Sequence, residues 1–139
     1  MADINYEQKL KFLVIDDVPV YRFLMESSIK KINPFIQLDQ AASVDEAMEK
    51  LSQENYNAVI SDWNMPDGGG EALLKWMRSR PHFRKVPFIM ISGKNQNEDI
   101  IEAFMRLGVD AYVVKPFNHR DLYEKVMGAI ANRNLPPSN

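Results

Sequence analysis

At 139 residues the chain has the length of one domain with a sizeable core. Apolar residues make up 45% and charged ones 26%, a folded rather than a disordered balance, and a net charge of −2 gives no bulk attraction for nucleic acid. The absence of cysteine excludes disulfides, thiol catalysis and thiolate metal sites and fits a reducing cytosol, while the lack of any apolar run near the ~20 residues of a membrane span and the polar start Met1 to Lys11 speak against membrane insertion and a secretory signal.

Residues 1–10 read as an N-terminal extension. Lys11-Phe12-Leu13-Val14-Ile15 is a short apolar run ending on Asp16-Asp17, the pattern of a strand buried on both faces. Pro19 opens a helix, at a position where its missing N–H costs nothing. Val20, Phe23, Leu24 and Ile32 are expected on its buried face, and Asn33-Pro34 closes it. Phe35 to Ala42 alternates polar and apolar residues, as an edge strand does. Ser43 and Glu46 form a capping box ahead of a second helix with Val44, Ala47, Met48 and Leu51 at i, i+3, i+4, i+7.

Asn55-Tyr56-Asn57 turns the chain into Ala58-Val59-Ile60, which stops abruptly on Asp62. Three glycines, Gly68 to Gly70, lead into a third helix through Leu73, Leu74 and Met77. The basic segment Arg78 to Lys85 reads as a solvated helix end and loop. Pro87 to Ile91 is a fourth strand ending at Ser92-Gly93-Lys94. Ile100, Ala103, Phe104 and Leu107 mark a fourth helix, stopped by Gly108. Ala111 to Val114 is a fifth strand ending at Lys115-Pro116. Asn118 caps a fifth helix with Asp121 in its first turn and Leu122, Val126, Ala129 and Ile130 as its stripe. Asn132 to Asn139 reads as a frayed tail. His82 and His119 read as surface residues, and Trp63 as a packing residue or one partly exposed beside the site.

Five strands alternating with five helices predict a parallel sheet covered on both faces. Ligands in such sheets gather at the carboxyl ends of the strands. Those ends carry Asp16-Asp17, Asp62, Ser92 and Lys115. Each alone is an ordinary turn residue; their order along one sheet edge is what points to chemistry. Crowded carboxylates repel, so one should have a raised pKa, and a hard cation relieves them. Oxygen-only ligands at a wet edge suit Mg²⁺. With Lys115, the Ser92 hydroxyl and the backbone N–H of Gly93, the set would neutralise an incoming phosphoryl group. Asp62, alone on the central strand, is the candidate nucleophile, and Asp16-Asp17 the candidate metal pair.

The stretches Phe12-Leu13-Val14-Ile15-Asp16-Asp17, Ser61-Asp62-Trp63-Asn64-Met65-Pro66 and Tyr112-Val113-Val114-Lys115-Pro116-Phe117 resemble the receiver domains of two-component response regulators, especially the stand-alone chemotaxis receivers of the CheY type. The resemblance spans about Lys11 to Arg133. It implies a flavodoxin-like (βα)5 fold with strand order 2-1-3-4-5, a receiver domain over residues 11–133, and a tail or linker stub over 134–139. It implies Asp62 as phosphoacceptor, Asp17 as a direct Mg²⁺ ligand, Asp16 as one acting through water, and the main-chain carbonyl of Asn64 as a further ligand. Ser92 would be the switch hydroxyl, Lys115 the phosphate-binding lysine and Tyr112 the aromatic that turns inward. The Lys115–Pro116 bond would be cis. A sensor histidine kinase would donate the phosphoryl group to the chain, which would work in the cytoplasm. A downstream protein would read helix four, strand five and helix five, and slow hydrolysis would reset the switch.

Two departures stand out. Position 92 is serine where threonine is usual in the chemotaxis type, and Gly68-Gly69 replaces a methionine and a polar residue, which is expected to loosen that loop. Asn64 and Lys94 are expected to tune hydrolysis. Three alternatives remain at this stage: the N-terminal receiver of a longer regulator with an output domain after residue 135, a Mg²⁺-dependent phosphohydrolase, for which Asn64 stands where an acid is wanted, and a pseudo-receiver that only binds a protein.

Overall fold

The computed structural model describes residues 9–66, 68–93 and 98–134. The expected alternation is present in full: β1 (Lys11–Ile15), α1 (Pro19–Ile32), β2 (Gln37–Ala41), α2 (Val44–Gln53), β3 (Ala58–Asp62), α3 (Gly69–Arg78), β4 (Phe88–Ser92), α4 (Glu98–Leu107), β5 (Ala111–Val114) and α5 (His119–Asn134). The sheet is parallel, in the order β2-β1-β3-β4-β5, so the flavodoxin-like expectation holds.

The strands work as two-faced partitions. Leu13, Ile15, Val59, Phe88 and Met90 face one core with α2 and α3, where Val44, Ala47, Leu51, Leu73, Leu74 and Met77 enter. Phe12, Val14, Ile60, Ile89 and Ile91 face the other, against Met25 and Ile29 of α1 and Leu122, Val126 and Ala129 of α5. Successive strand residues point to opposite faces, so an unbroken apolar run is what burial on both sides requires. The edge strand β2, covered least, keeps polar side chains.

Local signals account for most boundaries. The Ser43 hydroxyl accepts the Glu46 N–H at 3.1 Å, and Glu46 reaches back to the Ala42 N–H at 2.6 Å. The Asn118 side chain accepts the Asp121 N–H at 2.7 Å. α5 runs through Asn134, so Asn132 to Asn134 are helical rather than part of a frayed tail.

The face of α1 is a correction. Met25 and Ile29 are buried, while Val20, Phe23 and Leu24 stand exposed and Ile32 is half-buried. Val20, Phe23 and Leu24 satisfy helical spacing, but spacing alone does not say which face meets the sheet. That phase is chosen by tertiary packing, with Met25 and Ile29 entering the core beside β1 and α5. In α4, Leu107 is 37% exposed, and Phe104 packs against the core. Ile100 and Ala103 lie outside the side chains described.

Candidate functional site

The site begins with register. Ile15 of β1 pairs with Ser61 of β3, so the next residues, Asp16 and Asp62, leave the sheet side by side. Asp62 pairs in turn with Ile91 of β4, and Ser92 with Val114 of β5. Lys115 follows, its N–H donated to the Ser92 carbonyl at 2.8 Å, and its bond to Pro116 is cis, as expected. Four strands therefore deliver their end residues to one edge.

Carboxylate oxygens of Asp16, Asp17 and Asp62 lie within 4.8 Å of one another. Asp16 and Asp62 are buried and Asp17 is exposed. Lys115 Nζ bridges the buried pair, 3.1 Å from Asp16 Oδ2 and 3.3 Å from Asp62 Oδ1. Burial and the neighbouring Asp16 charge push the Asp62 pKa up, against the pull of Lys115 and the Asn64 N–H. This is the raised carboxylate expected of a crowded acidic cluster. Burial opposes charge on Lys115 too, but the hydrogen bond to Asp16 and the charges of Asp62 and Asp16 outweigh it, and its pKa is raised. One ammonium thus bridges two of the three clustered carboxylates. The donors are all oxygen and closely spaced, a set that fits a hard divalent cation, with Asp17 open to solvent.

The other expected residues are placed as follows. Ser92 is fully buried at the end of β4, its hydroxyl 3.4 Å from the Gly93 carbonyl. Among the described residues, a Cβ on Gly93 would meet nothing within 4 Å. Asn64 is exposed beside Asp62, and Tyr112 is half-buried against the core. Lys94 lies outside the described residues. Trp63 is a packing residue, 4.4 Å from the Phe104 ring and 6.3 Å from that of Phe88, centroid to centroid.

Three features escaped the sequence reading. Of the Gly68-Gly69 pair expected to loosen the loop, Gly68 is the exposed N-cap, whereas Gly69 is buried with Gly70 where α3 starts against the site strand. Gly69 has φ +59°, and a Cβ there would overlap the Trp63 carbonyl oxygen; a Cβ on Gly70 would come within 2.9 Å of the Asp62 carbonyl. Arg22 Nη1 donates to the Asp16 carbonyl at 2.7 Å. Tyr21 lays its ring against Lys115, with Nζ 3.9 Å from the centroid. The available signal for Tyr21 was its place in the first turn after the acidic pair.

The response regulator receiver domain family matches residues 12–127. The chain belongs to that family. It is 35% identical over 118 residues to chemotaxis protein CheY1 of Helicobacter pylori, covering 84% of this chain and 94% of that one. It is 32% identical over 119 residues to chemotaxis protein CheY-3 of Vibrio cholerae, covering 86% and 90%. Among solved structures, the receiver domain of Francisella response regulator 1452 superposes with a TM-score of 0.77 at 28% identity, over 89% of this chain and 98% of that one. Chemotaxis response regulator CheY4 of Vibrio cholerae has the same fold, with a TM-score of 0.79 at 23% identity over 88% and 99%. The receiver is thus a domain of two-component signalling, and among its described residues no helix is long and apolar enough to cross a membrane.

Proposed function

We propose that this receiver takes a phosphoryl group onto Asp62 from a phosphohistidine of a histidine kinase and so switches a protein-binding surface. The observation that carries the reading is the Lys115 ammonium bridging Asp16 and Asp62 beside Asp17. An Asp62 oxygen attacks phosphorus, the P–N bond of the donor breaks, and the departing imidazole keeps the electron pair. Asp16, Asp17, Asp62 and the Asn64 carbonyl would hold Mg²⁺, which when bound supplies positive charge for the phosphoryl oxygens. Lys115 supplies the chain's own charge, and the Gly93 N–H a further donor. Asp17 is the open carboxylate, and Asp16 is held by Lys115 and the Val18 N–H. Later attack of water on phosphorus breaks the aspartyl P–O bond and restores the carboxylate. Asn64, exposed at the site rim, lies where that water approaches.

Two surfaces fit the two partners. Val20, Phe23 and Leu24, exposed on α1 next to the acidic edge, offer apolar area to a donor reaching Asp62. Met105 and Val114, exposed on α4 and β5 beside half-buried Tyr112, offer it to the reader of the switch. Ser92 and Tyr112 would bias that α4-β5-α5 face between two states, by as much as the phosphoryl group contacts them differently. The names of the relatives favour a role in chemotaxis, and a kinase-driven switch of this kind would act in the cytoplasm. The test is labelling with acetyl phosphate and a divalent cation. The wild type should take up one phosphoryl group per chain and Asp62→Asn none. Stoichiometric labelling of Asp62→Asn would move the acceptor elsewhere. Sustained turnover of phosphate monoesters would favour a phosphohydrolase instead.

A further inference from the structure

Tyr21 has no role in that chemistry, yet it touches the lysine that bridges the acidic pair. It is the third residue of α1, and its backbone is tied to the turn that follows the acidic pair. Its N–H is donated to the Val18 carbonyl at 3.1 Å, and Val18 in turn donates its own N–H to Asp16 Oδ1 at 2.9 Å. The carboxylate that Lys115 grips therefore also sets the turn that presents Tyr21. The half-buried ring then receives the ammonium at 3.9 Å from its centroid, well inside the ~6 Å reach of a cation–π contact.

A lysine ammonium sits on a flexible four-carbon stem and has three donors. Two are aimed at Asp16 and Asp62, and the ring face attracts the same charge from another side. The contact with the ring differs from the other two. A carboxylate competes with phosphate for donors, whereas a π face attracts only the cation and has no negative oxygen to turn towards an incoming phosphoryl group. When Asp62 becomes phosphorylated, the donor now on its oxygen can pass to a phosphoryl oxygen while the ring contact stays as it is.

We propose that Tyr21 is a positioning residue for phosphoryl transfer: its ring holds the Lys115 ammonium over the acidic edge before the phosphoryl group arrives. The inference rests on the reading of Asp62 as phosphoacceptor. The face of the ring carries the effect, so Phe should serve at position 21 and Leu or Gln should not.

The test has two readouts on the full chain. The first is the carbon and proton shifts of the Lys115 ε-methylene in metal-free protein, where a ring face moves them upfield. Wild type and Tyr21→Phe should share that displacement, and Tyr21→Leu and Tyr21→Gln should lose it. The second is the rate of labelling by acetyl phosphate with Mg²⁺, in which an Asp62 oxygen attacks phosphorus and acetate leaves with the electron pair of the broken P–O bond. Tyr21→Phe should stay within about twofold of wild type, and Tyr21→Leu and Tyr21→Gln should fall about five- to tenfold, the scale of one cation–π contact. Wild-type rates in Leu and Gln variants that keep the native amide spectrum would overturn the role of Tyr21 and leave the Asp62 reading intact. So would a Phe variant as slow as Leu, which would mean a hydroxyl or purely structural role. A wild type that takes up no label would overturn the Asp62 reading and with it the role built on it.

Discussion

The two ends of the sheet hold charge in opposite ways. At the carboxyl end three aspartates cluster, and among the described residues one lysine bridges two of them, Asp16 and Asp62. At the amino end one aspartate is shared by two arginines: Asp110 Oδ2 meets Arg78 Nη2 at 3.0 Å, and Oδ1 meets Arg133 Nε at 2.7 Å. Asp110 also takes the Phe88 N–H at 2.8 Å. Arg78 spends its remaining donors on the carbonyls of Phe83, Arg84, Val86 and Gly108. It thus ties the ends of α3 and α4 to the starts of β4 and β5. Burial, only partly offset by Asp110, pushes Arg78 down to about 10. One end is closed, with Asp110 and the Arg78 donors all partnered inside the chain. Among the described residues the other has one lysine for three clustered carboxylates, an arrangement open to a cation and a phosphoryl group.

If that contrast is right, the largest loss of stability comes from the closed end. Arg78→Met should cost about 3 kcal/mol or more, because it strands several carbonyls and leaves Asp110 with one cation. That is a fall of roughly 10 °C in Tm, read by calorimetry. Labelling of Asp62 should persist below the new transition. A change under about 1 kcal/mol would mean that the clamp is ornamental and the two ends are more alike than their geometry says.

The clamp also marks the limit of what the sequence conveys. Asp16, Asp62 and Lys115 were legible because each ends an apolar run, and strand order turns such ends into neighbours. Arg78 was not, because it sits in a basic segment whose other members, Arg80, Arg84 and Lys85, are exposed as a solvated loop would be. Nothing in local pattern separates the one arginine that folds back onto Gly108 from the three that do not. The phase of α1 failed for a related reason. Two apolar stripes compete on it, Val20-Phe23-Leu24 and Met25-Ile29, and only the tertiary contact with β1 and α5 chooses. Gly69 and Gly70 looked like loop punctuation since their constraint comes from a backbone met end-on.

Those glycines give the next largest effect, and one that should join fold and site. Gly69→Ala forces a Cβ onto a left-handed backbone against the Trp63 carbonyl. A loss of about 2 kcal/mol is expected, on the scale of backbone strain. Asp62 and Trp63 must shift to relieve it, so Mg²⁺ affinity should fall as well, measured by titration calorimetry. Arg78→Met should leave that affinity unchanged. Equal affinities in the two variants would break the separation.

Mg²⁺ itself should stabilise only through the open end. At ten times Kd the expected increment is about 1.4 kcal/mol, seen as a rise in Tm. Arg78→Met should gain the same increment as wild type, as distant independent sites do. A smaller increment in that variant would show the ends to be coupled through the sheet.

The smallest effect has the least ordinary sign. Asp62→Asn should make the metal-free protein more stable at neutral pH, by about 1 kcal/mol. The folded state raises the pKa of Asp62 above its ordinary 3.8, through burial and the charge of Asp16. Below that ordinary value both states carry the proton and the two proteins should differ little. As pH rises through 3.8 the unfolded chain loses its proton first, so the wild-type fold is progressively weakened until the raised folded value is passed. The advantage of Asp62→Asn should therefore open across that window and stay constant above it. Chemical denaturation of both proteins in chelator, from pH 3 to pH 8, measures this directly. Saturating Mg²⁺ should close the gap by compensating the carboxylate. If Asp62→Asn is instead the less stable protein at neutral pH, the Lys115 pairing outweighs the crowding, and the carboxyl end is no shorter of positive charge than the amino end.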